Sequence, residues 1–159
     1  MLVGETKGEF GGSLYIKELF GETAGRLPSF DYKTELKLWE LVIEANREGL
    51  LASAKDVNVG GIAVALSKMA AVSGKGIDAK VSVESSRDIF DESQSRALLE
   101  VSDADLEEVL DMASGLGLRA EVIGKIGGDR VKVNNVELPL EKVKDVYFNT
   151  FRRTIEQDL

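Results

Sequence analysis

Apolar positions recur along this chain in two rhythms, one of three to four residues and one of two. Over residues 34–48 the slower rhythm dominates. Leu36, Trp39, Val42 and Ile43 fall on one side of a predicted helix, which Gly49 stops. An earlier helix is predicted from Ser13, a suitable N-cap, with Leu14, Ile16 and Leu19 behind it. Pro28 and Asp31 mark a loop between the two. The stretch "LLASAKDV" at 50–57 is short and apolar and predicts a buried strand, although its alanines leave a helical reading open. "IAVALSKMAAV" at 62–72 is apolar or small nearly all round, so the predicted helix is buried on more than one side.

Beyond residue 76 the faster rhythm takes over. "IDAKVSV" (77–83), "ALLEVS" (97–102) and "RAEVIGKI" (119–126) read as strands. Ser102 and Asp105 suggest a capping box for a helix carrying Leu106, Val109, Leu110 and Ala113, with Gly117 at its end. "RVKV", "NN" and "VEL" read as a hairpin closed by Pro139. A last helix places Val143, Val146, Tyr147, Phe151 and Ile155 on one side, with Arg152 and Arg153 where the helix dipole favours cations. From 50 to 126 the order is strand, helix, strand, strand, helix, strand. That is the order of a ferredoxin-like split β-α-β core. The expected fold class is α+β, with a mixed sheet covered by helices.

Composition narrows the chemistry. The chain of 159 residues is 43% apolar and 30% charged, ordinary for a globular domain. It has no cysteine, which removes thiolate catalysis and zinc–thiolate sites. It has no histidine either, so any chemistry must use carboxylates, lysines, hydroxyls or backbone groups. A net charge of −8 argues against a nucleic-acid partner. No run of about 20 apolar residues or signal-peptide pattern suggests a membrane, and a cytoplasmic location is expected.

Three segments carry candidate chemistry. In "SAKDVNVGG" Asp56 ends a strand, and Gly60 and Gly61 open a helix, where backbone amides can receive an anion. The same glycines can instead let the helix lie close to the sheet, and a double glycine alone favours that packing role. Gly11, Gly12 and Ser13 have the same form, with a helix cap the simpler reading. In "RDIFDESQSR" at 87–96, Asp91 and Glu92 suit Mg²⁺ and Arg96 suits a phosphate or carboxylate. A solvated turn with Arg96 paired to Glu92 or Asp88 is the favoured alternative. "DADLEEVLD" is the polar face of a helix and gives no metal site.

The segments 4–28, 53–70 and 89–102, in this order and spacing, resemble the second half of phosphoribosylformylglycinamidine synthases. These belong to the aminoimidazole ribonucleotide synthetase superfamily. The resemblance covers nearly the whole chain and implies a C-terminal domain of a longer enzyme. Residues 1–12 would be the tail of the preceding domain and 13–159 the domain itself. It also implies an ATP- and Mg²⁺-dependent ligase of purine biosynthesis. The family phosphorylates the amide oxygen of formylglycinamide ribonucleotide, and ammonia from a glutamine amidotransferase subunit then displaces phosphate. Where the family usually has histidine, aspartate, serine and an acidic residue before the glycines, this chain has Lys55, Asp56, Asn58 and Val59. Glu92, Ser93 and Gln94 resemble a substrate-binding triplet of the other half. Anion- or nucleotide-binding candidates are therefore Gly11, Gly12, Ser13, Asp56, Gly60, Gly61, Glu92, Ser93 and Arg96, with no catalytic or metal residue among them. An isolated fragment would be inactive. It would also present an apolar patch around Phe10, Leu14, Leu19, Val131 and Val136, and the "MLVG" strand end would lack backbone partners, favouring self-association or disorder there. Two alternatives stay open: another phosphotransferase of the superfamily, and a stand-alone binding or regulatory module.

Overall fold

Two groups of strands organise the computed structural model, which describes residues 1–157. They belong to two compact units, residues 1–65 with 83–123, and residues 66–82 with 124 onward.

The first unit holds four strands, β1 (Leu2–Val3), β2 (Leu51–Asp56), β4 (Ala97–Val101) and β5 (Ala120–Glu121). They form an antiparallel sheet in the order β2-β4-β1-β5. The opening strand does not lack partners. Leu2 and Val3 pair with Leu98 and Ala97 on one side and with Glu121 and Ala120 on the other, and both are buried. An apolar dipeptide between two strands has its backbone groups satisfied and its side chains out of water, so the expectation of a bare strand end fails.

Helices α2 (Tyr32–Arg47) and α4 (Leu106–Gly115) pack their apolar sides against this sheet. Leu38, Leu41 and Ala45 of α2 meet Val109 and Ala113 of α4 and Val3, Ala97 and Leu99 of the sheet. The predicted helix is present, but its inner face differs. Of the four predicted residues Val42 packs on the core, whereas Leu36, Trp39 and Ile43 are 41%, 53% and 48% exposed, because the second apolar stripe, Leu38-Leu41-Ala45, is the one that packs on the sheet. Asp31 caps α2 through the Lys33 and Thr34 amides. Ser102 accepts a hydrogen bond from the Asp105 amide ahead of α4. Gly117 ends α4 in the left-handed conformation, with the Leu118 amide returning to Ala113 O.

The second unit holds β3 (Ile77–Ala79), β6 (Gly124–Ile126), β7 (Arg130–Val133) and β8 (Val136–Pro139). They form a mixed sheet in the order β6-β3-β7-β8. β3 runs parallel to β7, and the other pairs are antiparallel. The predicted hairpin turns at Asn134 and Asn135. The Asn134 side chain also binds both the amide and the carbonyl of Val81, in effect extending the ladder past β3. Val131 is buried in this sheet and does not contribute to an exposed patch. Helix α5 (Leu140–Gln157) follows, with Val146, Tyr147, Phe151 and Ile155 exposed.

The α+β class and the strand-helix-strand-strand-helix-strand order are as expected. The strands of that run are shared between two sheets, however. "RAEVIGKI" breaks after Glu121, giving β5 to the first sheet and β6 to the second. Helix α3 (Gly61–Ser73) starts in the first unit at the double glycine. Among the described residues no helix is long and apolar enough to cross a membrane.

Candidate functional site

The "RDIFDESQSR" segment is not a solvated turn. Residues Ser86–Phe90 form a short 3-10 helix, and the chain then folds inward over Asp91, Glu92 and Ser93 before entering β4. Arg96 pairs with neither Glu92 nor Asp88. Its Nη1 lies 2.6 Å from Asp91 Oδ1, with both side chains fully buried. The guanidinium also donates through Nε to Ser93 O at 2.9 Å, through Nη2 to Asp91 O at 2.9 Å and through Nη1 to Thr6 Oγ1 at 3.0 Å. Burial lowers the Arg96 pKa, against the opposing pull of Asp91, yet an arginine keeps its proton throughout the working range.

The carboxylate is held as fully. Asp91 Oδ2 accepts from the amides of Lys7, Gly8 and Glu9, at 3.2, 2.8 and 3.1 Å, and from the Ser93 hydroxyl at 2.6 Å. Asp91 Oδ1 takes no well-angled hydrogen bond; the Arg96 charge is its partner. Three consecutive amides pointing at one carboxylate make an anion nest, and the anion is the protein's own. Glu9 lies beside it, with Oε1 accepting from the Ser29 amide at 2.9 Å. Burial pushes the Glu9 pKa up, but the hydrogen bonds from Ser29 and Ser93 outweigh it and hold the group below its ordinary value.

Glu92 fills the second set of amides. Its Oε1 accepts from Gly60 at 2.9 Å and from Leu14 at 2.8 Å. Leu14 is the first residue of helix α1 (Leu14–Phe20), so this carboxylate joins the glycine turn to the "GGS" segment. The Gly61 amide bonds to Asn58 O at 2.8 Å, so both glycine amides of the turn have acceptors within the chain. Gly61 has φ +67°, and a Cβ there would come within 2.5 Å of Asp91 O and 2.7 Å of Phe90 C. Only glycine permits that approach between the start of α3 and the 90s segment.

The other candidates separate into two groups. Ser13 is buried and caps α1 by accepting from the Ile16 amide at 3.3 Å, while the Gly12 amide bonds to Ala24 O. Gly11 lies directly on the Arg26 backbone. Tyr15 stacks on Phe90 and meets Phe10 at a tilt, with the Arg87 guanidinium 5.4 Å from the Phe10 centroid, and these rings close the same region. Asp56 stands apart from the buried pair, on the surface, where it contacts Lys55 Nζ and the Asn58 amide group. Among the described residues no group of three or more acidic side chains is placed to hold a metal ion.

Sequence reasoning missed the partners rather than the segment. Asp91, Thr6 and Glu9 come to Arg96 from loops whose path no periodicity encodes. A further feature had no sequence signal: Ser95 sits at φ +59°, rare for a residue with a side chain, and its hydroxyl binds Glu35 Oε2 at 2.6 Å.

These features, a glycine turn before α3 and an inward-folded acidic segment before β4, define a domain class. The chain belongs to the family described as AIR synthase related protein, C-terminal domain, which matches residues 1–134. Within it, the chain is 86% identical over all 159 residues to the phosphoribosylformylglycinamidine synthase subunit PurL of Sulfurovum sp. (strain NBC37-1), spanning 22% of that protein's length. Among solved structures it resembles Thermotoga maritima PurL complexed with FGAR, at 25% identity and TM-score 0.75, covering 90% of this chain and 27% of that one. The fold is also shared with T. maritima PurL complexed with ATP, at 23% identity and TM-score 0.67, covering 90% and 25%.

Proposed function

We propose that these residues form a C-terminal domain of a phosphoribosylformylglycinamidine synthase. The whole enzyme is an ATP-dependent carbon–nitrogen ligase of the cytoplasm that converts formylglycinamide ribonucleotide to its amidine in purine biosynthesis. The observation that carries the reading is the 86% identity to a PurL subunit, unbroken across the chain. The chain spans about a fifth of that relative, so most of the enzyme's machinery lies in the remainder. ATP with Mg²⁺ supplies the activating phosphoryl group, and a glutamine amidotransferase subunit supplies ammonia.

The residues present do not fit phosphate or Mg²⁺ at the glycine turn. The Gly60 amide is bound by Glu92, the Gly61 amide by Asn58, and the Asp91 carboxylate by Arg96 and three amides. An anion entering there would have to displace a carboxylate already held by two backbone donors. The role of Gly60, Gly61, Glu92, Ser93 and Arg96 in this domain is therefore to lock the 4–14 segment, the 90s segment and the start of α3 together. No step of the reaction runs through them. Purified full-length enzyme supplied with formylglycinamide ribonucleotide, ATP, Mg²⁺ and ammonia should form the amidine, whereas residues 1–159 alone should neither form it nor hydrolyse ATP. Absence of amidine with the full-length enzyme, or turnover by the fragment, refutes the reading.

A further inference from the structure

Helix α5 leaves its unit after about one turn. Leu140 is buried, with its amide donating to Asp129 O at 2.9 Å, and Val143 and Lys144 are half-buried. From Asp145 to Gln157 every residue except Asn149 is exposed. At about 100° per residue, Leu140, Val143, Tyr147, Phe148, Phe151 and Ile155 lie along one side of the helix. Phe151, at the centre of the projecting part, is 78% exposed. The two polar positions on that side are paired within the helix. Thr154 donates to Thr150 O at 3.0 Å, and Lys144 donates to Glu141 Oε1 at 2.8 Å, so covering the side would strand neither. A helix of this length holds its shape in water mainly through packing of its apolar side, and its own unit packs only the base. α5 also lies outside residues 1–134, the part matched by the family, so packing common to the family's domains does not account for this side.

From this we infer that α5 pairs with α5 of a second copy of the chain, antiparallel, about a two-fold axis near Tyr147. Charges along the border of the apolar side select that occupant. Glu141 and Arg152 stand about three turns apart on the same border, one towards each end. Asp145 and Arg153 take no part, because they bond to each other at 2.6 Å on the back of the helix. A parallel pair would set Glu141 beside Glu141 and Arg152 beside Arg152. An antiparallel pair sets each Glu141 beside the other copy's Arg152, and symmetry repeats the contact at both ends. The same register lays Tyr147 on Tyr147 and Val143 on Phe151, so the apolar side meets itself along its length. Within the helix Glu141 contacts Lys144, and Arg152 lies 4.0 Å from Glu156, yet their side chains stay 82% and 68% exposed and available to a second partner.

Sedimentation velocity of the full-length protein over a range of concentrations tests it. The expected result is a reversible monomer–dimer equilibrium that Phe151→Asp abolishes. Glu141→Arg alone and Arg152→Glu alone should each weaken the dimer about tenfold, because two solvent-screened pairs become repulsive. An equimolar mixture of those two variants should recover it, since both border contacts are then opposite in charge again. Recovery in the mixture also shows that the two variants are folded. Overturning results are a protein that stays monomeric at every concentration, a dimer that Phe151→Asp or either charge reversal leaves unchanged, and a loss in the single variants that the mixture does not recover.

Discussion

Replacing Asp91 with asparagine probes the buried pair that holds the 90s segment. The amide side chain has nearly the same shape and one oxygen that can still accept from the Lys7, Gly8 and Glu9 amides. It removes the charge facing Arg96, whose remaining acceptors, Ser93 O, Thr6 Oγ1 and the backbone carbonyl of residue 91, are all neutral. Breaking a fully buried ion pair from one side costs about 3–5 kcal/mol. With an m-value of roughly 2 kcal/mol/M in urea, the midpoint should fall by about 1.5–2.5 M. Trp39 is the single tryptophan and lies in the same unit, so its fluorescence follows the unit that contains the pair. The exposed Arg153–Asp145 pair provides the control, because solvent screens it and Asp145→Asn should leave the urea midpoint almost where it was. In a cycle with Arg96→Met, the double variant should be less damaged than the sum of the singles, since neither charge is then left alone. A loss under about 1 kcal/mol for Asp91→Asn, with an unchanged m-value, would refute the account of the pair as the clamp of this region.

Three other outcomes follow from the same geometry. Gly61→Ala puts a methyl against Asp91 O and Phe90 C at positive φ and should destabilise by about 1–3 kcal/mol in urea titration; a neutral result would mean the 90s segment yields easily. Glu92→Ala strips the acceptor from the Gly60 and Leu14 amides and should lower stability by about 1–3 kcal/mol. Hydrogen exchange should speed up at those two amides in particular, and Glu92→Gln, which keeps an oxygen, should exchange more slowly than Glu92→Ala. The Glu9 pKa is depressed on folding, so its contribution is present above the ordinary value of 4.5 and is lost as pH falls through the folded value. Urea midpoints of the parent chain should therefore drop between about pH 5 and pH 3, and those of Glu9→Gln less steeply; identical acid limbs would contradict this.

Much of the secondary structure was legible because it is locally encoded. Ser13 caps α1, Gly117 ends α4, and the Asn134–Asn135 turn makes the hairpin, each through contacts within a few residues. The candidate site was legible as a segment and illegible as a geometry. Asp91 meets amides more than 80 residues away, and Glu92 joins Leu14 to Gly60, neither of which any local period records. The charge pattern around 87–96 suggested exposed ion pairs because surface pairs are the common case; burial of Arg96 reversed which acid it takes.

Helix α2 shows the limit most clearly. Periodicity located it to within two residues and named a side, Leu36, Trp39, Val42 and Ile43, of which Val42 alone packs on the core; Leu38-Leu41-Ala45 is an equally good apolar stripe. A helix with a single partner surface needs one stripe; the second exposes a tryptophan, an isoleucine and a leucine to water with no return within the unit. The period alone could not say which stripe packs, because both fit it. Sheet β2-β4-β1-β5 and helix α4 select Leu38-Leu41-Ala45, which meet Val3, Ala97 and Leu99 on one and Val109 and Ala113 on the other.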